Sequence, residues 1–159
     1  HIALREILLD AGADLGIREY GYYAMNSLRL EKSFGIWSAE FTQGYTPGMT
    51  GMDRWIDFSK GDFIGKAALL AERSRGPARR LVKALLSGER LASTSEHPWL
   101  AFGPDGSPCG EVRVAVWSPK HESNLCLALV SSAVAGGPFT TSTPTGEGLQ
   151  ATHLANFAE

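Results

Sequence analysis

The segment HPWLAFGPDGSPCGEVRVAVWSP, residues 97–119, decides the fold of the second half of this 159-residue chain. Pro104, Asp105 and Gly106 are turn formers between two largely apolar runs, which predicts a β-hairpin. After the turn, apolar and polar residues alternate with period two, as in a strand that has one buried face. The alternation predicts one face formed by Val112, Val114 and Val116, and an opposite face formed by Glu111, Arg113 and Trp117.

Four further stretches have the composition of strands: RLVKALLS (80–87), LCLALV (125–130), GPFTTSTP (137–144) and GLQATHLANF (148–157). Because LCLALV is apolar throughout, we expect this strand to be buried on both faces. Several short strands joined by turns predict a small antiparallel barrel or sandwich.

The first half of the chain is predicted to be mainly helical. Apolar residues at helical spacing indicate a helix over residues 3–11, with Gly12 as its C-cap. A second helix over residues 23–33, closed by Gly35, is favoured over a strand because the segment contains no β-branched residue. The turn formers of TQGYTPGMTGMD (42–53) predict a loop, and RWIDFS (54–59) alternates like a short strand.

A third helix and a boundary follow. SKGD (59–62) resembles a capping box and predicts a helix that runs to about Arg73. Gly76 and Pro77 stop this helix within an arginine-rich stretch that is typical of a solvated linker. We therefore expect an α+β protein in two parts, residues 1–76 and residues 77–159.

Composition and charge narrow the function classes. Fifteen basic and 17 acidic residues give a net charge of −2, which argues against a nucleic-acid partner. No apolar run approaches the roughly 20 residues of a membrane span, and no signal peptide is expected at the N-terminus. Cys109 and Cys126 lie far apart without metal-type neighbours, so neither a disulfide scaffold nor a metal site is expected, and a reducing compartment fits.

No catalytic motif stands out, and Glu31 is the most unusual residue. On a helix it shares a face with Ala24, Ser27 and Leu28. A carboxylate at the end of such a face needs partners, because an unpaired buried charge is costly. One interpretation is a local pair with Lys32 or a nearby arginine, or a helix end open to water. The other is a ligand with two parallel N–H donors, such as the edge of a pterin.

Residues 24–70 contain several short motifs in an order that resembles the folate-binding aminomethyltransferase family. This family includes the T-protein of the glycine cleavage system. The matching pieces are SLRLEK (27–32), GIW (35–37), TP (46–47) and KGDFIGKAAL (60–69). Lys32 after the glutamate, and GEVRVAVWSP in the barrel, are more similar to the C-terminal parts of dimethylglycine and sarcosine dehydrogenases than to T-proteins. Ser33 and Met49 depart from the glycine and glutamate that are usual at these positions.

The resemblance implies a partial folate-binding domain over residues 1–76 and a C-terminal barrel over residues 77–159. It implies tetrahydrofolate as the cofactor, with Glu31 on the pterin ring. Tyr23 is a candidate for stacking on that ring, with packing in the core as the competing interpretation. Lys60 and Lys66 are candidates for the folate tail, with solvated lysines at a helix start as the alternative.

The resemblance also implies what the parent protein does. It would transfer a one-carbon unit from an N-methyl amine to folate, with FAD in a preceding domain if it belongs to the dehydrogenase branch. The catalytic aspartate of the family lies outside this sequence, so we expect no catalytic residue here, an inactive fragment, and self-association through exposed apolar surface. The alternatives are a stand-alone T-protein-type enzyme and a non-catalytic regulatory module. The expected compartment is the cytoplasm, or the mitochondrial matrix in a eukaryote.

Overall fold

Helical segments precede a set of six strands in the computed structural model, which describes residues 1–95 and 97–154. The helical segments are α1 (Ile2–Ala11), a 3₁₀ turn (Ala13–Leu15), α2 (Tyr22–Glu31), α3 (Pro47–Thr50), a second 3₁₀ turn (Asp53–Trp55) and α4 (Lys66–Arg75). The strands are β1 (Arg79–Leu86), β2 (Trp99–Phe102), β3 (Pro108–Ser118), β4 (Ser123–Ser131), β5 (Phe139–Ser142) and β6 (Gly148–Leu154). The predicted α+β class is confirmed.

The strands form a closed antiparallel barrel in the order β1–β4–β3–β2–β5–β6, and β6 pairs with β1 to complete it. The predicted hairpin joins β2 to β3. Its turn is fixed by a 2.8 Å hydrogen bond from the Gly103 amide to the Ser107 carbonyl, and Gly106 takes the left-handed conformation that the turn requires. The barrel core includes Val82, Ala84, Trp99, Val112, Ala115, Cys126, Ala128 and Phe139.

A β-bulge at Arg113 overturns the predicted faces of β3. Val112 is paired with Ala128 and Val114 with Leu127, so Arg113 is an extra residue in the ladder. One extra residue shifts the side-chain alternation by one position. Val112 therefore packs in the barrel core, whereas Val114 packs in a second apolar cluster. The expectation that Val112, Val114 and Val116 share a face is wrong.

The second apolar cluster lies between α2 and the barrel wall. Leu30 of α2 is fully buried there against Val114, Val116, Leu125 and Leu127. Residues 124–130 of β4 are all buried, because one face of the strand lines the barrel core and the other packs in this cluster. Burial of LCLALV on both faces is thus confirmed, and α2 is held on the barrel by the same contacts.

The C-terminus of α2 ends two residues earlier than predicted. The Ser33 amide donates to the Leu30 carbonyl at 2.9 Å and the Phe34 amide to the Arg29 carbonyl at 2.8 Å, the hydrogen-bond pattern of a Schellman motif. This motif places its left-handed residue at Ser33, with φ 57°, instead of at a glycine. Gly35 does not close the helix, although the helix itself is confirmed over the competing strand.

Residues 42–66 differ most from the prediction. The TP segment forms the short helix α3, whose N-cap Thr46 accepts a hydrogen bond from the Met49 amide. RWIDFS forms no strand but a 3₁₀ turn and a loop, because it has no neighbouring strand with which to pair. SKGD does not cap a helix: Ser59 donates to the Asp57 carboxylate at 2.6 Å, and α4 begins at Lys66. The predicted stop at Gly76 is confirmed.

The N-terminal segment exposes much apolar surface. No residue of α1 is buried, and Ile2, Leu4, Ile7 and Leu8 are each more than half exposed. Such a surface was expected for residues 1–76, whereas self-association through it stays a prediction. The division at residues 76 and 77 also stays a prediction, since contacts from α2 to β3 and from α3 to β1 cross it. Among the described residues, no helix is long and apolar enough to cross a bilayer.

Candidate functional site

One face of α2 and two loops of the barrel enclose a groove of about 500 Å³. We call it the α2–barrel groove. Tyr23, Ala24, Ser27, Leu28 and Glu31 line it from α2, and Arg90, Trp117, Pro119 and Lys120 line it from the barrel. Its volume lies within the range of sites that hold small molecules. The helical spacing that placed Ala24, Ser27, Leu28 and Glu31 on one face is confirmed.

Glu31 is half-buried at this groove and is held by the barrel. Its Oε1 atom accepts a 2.6 Å hydrogen bond from Oγ of Ser118, which is fully buried at the end of β3. Its backbone carbonyl accepts a 3.3 Å bond from Nζ of Lys83 in β1. Among the described residues, Oε2 of Glu31 accepts no hydrogen bond, so the carboxylate offers this oxygen and a second lone pair of Oε1 to a ligand.

A buried ionic network fixes the helix that carries Glu31. The Arg29 guanidinium donates to Asn26 Oδ1 at 2.8 Å, to the Phe34 carbonyl at 3.1 Å and to Glu40 Oε2 at 3.2 Å. The same Glu40 oxygen accepts from the Ile36 amide at 2.8 Å. Because these groups are buried and linked, they tie the last turn of α2 to the chain that follows it.

Aromatic and cationic side chains form the walls of the groove. The Tyr23 hydroxyl donates to the Leu91 carbonyl at 3.3 Å, which places its ring beside the loop that carries Arg90. The Arg90 guanidinium lies 5.3 Å from the centroid of the Trp117 ring, within the range of a cation–π contact. The groove therefore combines two aromatic rings, one carboxylate and two cations, a set that suits a planar ligand with both donor and anionic groups.

Lys83 adds a further positive charge beside Glu31. Its side chain is buried, and burial lowers the pKa of its ammonium group. The charge of Lys120 lowers this pKa further, and the carboxylate of Glu31 acts in the opposite direction. Lys83, Lys120 and Glu31 are thus close enough to interact electrostatically.

The other two sequence candidates lie elsewhere. Lys66 Nζ donates to the Lys60 carbonyl at 2.9 Å, and both lysines lie over the ring of Phe63. Neither lysine lines the α2–barrel groove. A larger cavity of about 980 Å³ lies between α3, α4 and the barrel, and Glu31, Tyr23, Lys60 and Lys66 are all outside its lining. Of the four candidates, the structure brings only Glu31 and Tyr23 together.

Comparison with known proteins agrees with the resemblance in the sequence. The profile of the GCVT N-terminal domain matches residues 2–60. An aminomethyltransferase of Caldanaerobacter subterraneus subsp. tengcongensis is 32% identical over 84% of this chain and 35% of its own length. Human mitochondrial dimethylglycine dehydrogenase is 42% identical over 81% of this chain and 15% of its own length. Over about four fifths of its length, the chain is similar to members of the aminomethyltransferase family.

Two further comparisons concern a solved structure and a protein that is named as a regulatory subunit. The glycine cleavage system aminomethyltransferase T of Bartonella henselae superposes with a TM-score of 0.82 at 22% identity, over 99% of this chain and 43% of that one. The mitochondrial pyruvate dehydrogenase phosphatase regulatory subunit of mouse is 32% identical over 77% of this chain and 14% of its own length. The chain thus spans about a third or less of the length of the curated relatives it matches.

Sequence reasoning missed the half of the groove that the barrel contributes. Arg90, Trp117, Ser118 and Lys120 come from loops and strand ends far from α2 in the chain. The available signal was weak. Trp117, Ser118, Pro119 and Lys120 are consecutive, and this segment at the end of a strand indicates a binding edge only after α2 is known to lie beside it.

Proposed function

We propose that the α2–barrel groove binds tetrahydrofolate and that the chain is the cofactor-holding part of a one-carbon (aminomethyl) transfer enzyme. The observation that carries the proposal is the carboxylate of Glu31, which lies in an aromatic groove with one oxygen anchored by a buried serine. A carboxylate held in this way accepts two parallel N–H bonds from a planar edge. The ring N–H and exocyclic amine of a pterin provide that edge.

Different residues of the groove make different contacts with the ligand. Glu31 orients the ring through its donor edge, and Tyr23 and Trp117 offer aromatic faces and exclude water. When bound, tetrahydrofolate supplies the nitrogen that accepts a one-carbon unit. The residues of this chain supply binding and orientation, and we assign none of them a role in bond making.

The relatives are much longer, and we propose that one-carbon transfer needs a region corresponding to the remainder of their length. On this proposal the chain binds cofactor but is inactive alone. The human dehydrogenase relative favours an N-methyl amine as the one-carbon donor, with FAD in the additional region. The two free cysteines fit a reducing compartment, either the cytoplasm or the mitochondrial matrix.

Calorimetric titration of the protein with folinic acid, a stable reduced folate, tests the proposal. We expect binding, and we expect Glu31→Gln to weaken it about tenfold or more, because the loss of the charge weakens two charge-assisted hydrogen bonds. The control is Lys32→Gln, which alters the exposed neighbour outside the groove and should bind as the unaltered protein does. Absence of heat and of any thermal shift with the unaltered protein contradicts the proposal.

A second candidate function is a regulatory module that binds no folate. The regulatory-subunit relative is the observation in its favour. The two candidates differ in one measurement, since a regulatory module gives no response to folinic acid and no dependence on Glu31. Conversely, saturable binding that Glu31→Gln weakens excludes a purely structural role for the groove.

A further inference from the structure

Among the described residues, two cations of the α2–barrel groove have no acidic partner. Arg90 and Lys120 are exposed, and neither forms a salt bridge within residues 1–95 and 97–154. Arg90 instead lies over the ring of Trp117, which leaves the outer edge of its guanidinium available for hydrogen bonds. Unpaired cations beside a ligand-sized groove are suited to an anionic group of the ligand.

Buried polar groups fix the two loops that carry these cations. The side chain of Asn124 is buried. Its Oδ1 atom accepts a hydrogen bond from the Leu91 amide at 2.9 Å, and its Nδ2 atom donates to the Glu89 carbonyl at 2.7 Å, so Asn124 holds the backbone on both sides of Arg90. On the other loop, the His121 amide donates to Ser118 Oγ at 3.3 Å. The backbones at Arg90 and Lys120 are therefore set before a ligand arrives, which lowers the entropy cost of binding.

The charges around the groove do not balance. Arg90 and Lys120 provide two positive charges in the groove lining, whereas Glu31 is the one acidic residue among the described residues of that lining. Glu89 precedes Arg90 directly and Glu122 follows Lys120 by two residues, but both glutamates lie outside the lining. Additional negative charge from a ligand is thus electrostatically favourable at this end of the groove.

We propose that Arg90 and Lys120 bind the carboxylates of the glutamate tail of folate. The inference rests on the proposed function, since it takes the ring of the same ligand to be at Glu31. It replaces Lys60 and Lys66 as the tail-binding residues, because those two lysines contact Phe63 and lie outside the groove. Each added glutamate of a polyglutamyl tail brings a further carboxylate, so the groove favours longer tails.

Titration with ligands that differ only in the tail tests the inference. The probes are 6-methyltetrahydropterin, which has no tail, folinic acid with one glutamate, and folinic acid triglutamate. For the Arg90→Gln, Lys120→Gln double variant we expect about tenfold weaker binding of folinic acid, a larger loss for the triglutamate, and unchanged binding of the tail-free pterin. The matched control is the Lys60→Gln, Lys66→Gln double variant, which removes the same charge and should bind all three probes normally.

The outcomes separate this inference from the proposed function. If the groove variant binds folinic acid as the unaltered protein does, or if the control variant loses affinity instead, the tail assignment is wrong. If the groove variant loses the tail-free pterin equally, the two cations support the groove wall and the tail assignment is also wrong. The proposed function still stands in these cases provided that Glu31→Gln weakens the tail-free pterin. Absence of binding of all three probes overturns both.

Discussion

Oγ of Ser118 lies 2.6 Å from Oε1 of Glu31, although 87 residues separate the two in the chain. Glu31 ends α2, and Ser118 ends β3 and is fully buried. A barrel residue therefore selects the orientation of a carboxylate that belongs to the helical part. The ligand-binding proposal thus depends on both parts of the chain and on their relative placement.

Removal of the Ser118 hydroxyl should weaken ligand binding. We expect Ser118→Ala to lower the affinity for folinic acid roughly tenfold, because the carboxylate loses the hydrogen bond that orients it. Ser118→Thr keeps a hydroxyl and should retain most of the affinity. Calorimetric titration measures both, and equal losses in the two variants would indicate a packing defect instead of a lost hydrogen bond.

The apolar contact between α2 and the barrel should dominate the stability of the helix. Leu30→Ala deletes a fully buried side chain in the second apolar cluster, so we expect a loss of about 3 kcal/mol in the free energy of unfolding. Leu28→Ala alters the same helix at a side chain that is 52% exposed, and should cost less than about 1 kcal/mol. Urea unfolding followed by circular dichroism compares the two, and similar losses would mean that α2 does not dock as described.

The buried Arg29–Glu40 pair should matter far more than the exposed Arg5–Glu19 pair. Glu40→Ala leaves the buried guanidinium without its carboxylate, and we expect the free energy of unfolding to fall by about 3 kcal/mol. Glu19→Ala removes a 2.6 Å pair whose two side chains are both more than half exposed, and should give no measurable change. Thermal unfolding of both variants measures the two losses of stability. A larger loss for Glu19→Ala than for Glu40→Ala would contradict the prediction.

Ser33 is a site where a single substitution should stabilise the protein. Its left-handed backbone suits glycine, and its buried hydroxyl has no hydrogen-bond partner among the described residues. Ser33→Gly relieves both costs, so we expect a gain of about 1 kcal/mol in the free energy of unfolding. Ser38→Gly, at an exposed serine outside the left-handed region, is the control and should not stabilise. A gain in neither variant would show that the strain at Ser33 is negligible.

The sequence predicted most helices and strands, but it did not predict the β-bulge in β3 or the start of α4. Periodicity predicted α1 and β3, because burial of one face leaves a regular pattern. Residue composition predicted α2, β1, β4, β5 and β6, and the turn formers predicted the hairpin that contains β2. The bulge at Arg113 was not predictable, since an extra residue is defined only by pairing with β4. The capping signal at Ser59 failed because Asp57, two residues away, competes for the same hydroxyl.

The helical half of the candidate site was predictable, and the barrel half was not. Glu31 and Tyr23 could be placed from spacing and from the family resemblance. Arg90, Ser118 and Lys120 reach the groove only through the closure of the barrel and the docking of Leu30 on its wall. Tertiary packing, which no local pattern encodes, therefore supplies the hydrogen-bond partner of Glu31 and the cations beside it.

The span between Glu31 and Ser118 also dictates the order in which the site forms during synthesis. The ribosome finishes α2 well before it reaches the end of β3, so the helix emerges with its carboxylate still unrestrained. A nascent chain halted before residue 118 contains every groove residue of α2 and cannot orient Glu31. Ligand binding by ribosome-bound intermediates should accordingly begin only after the barrel wall has emerged, which makes the groove a late product of translation.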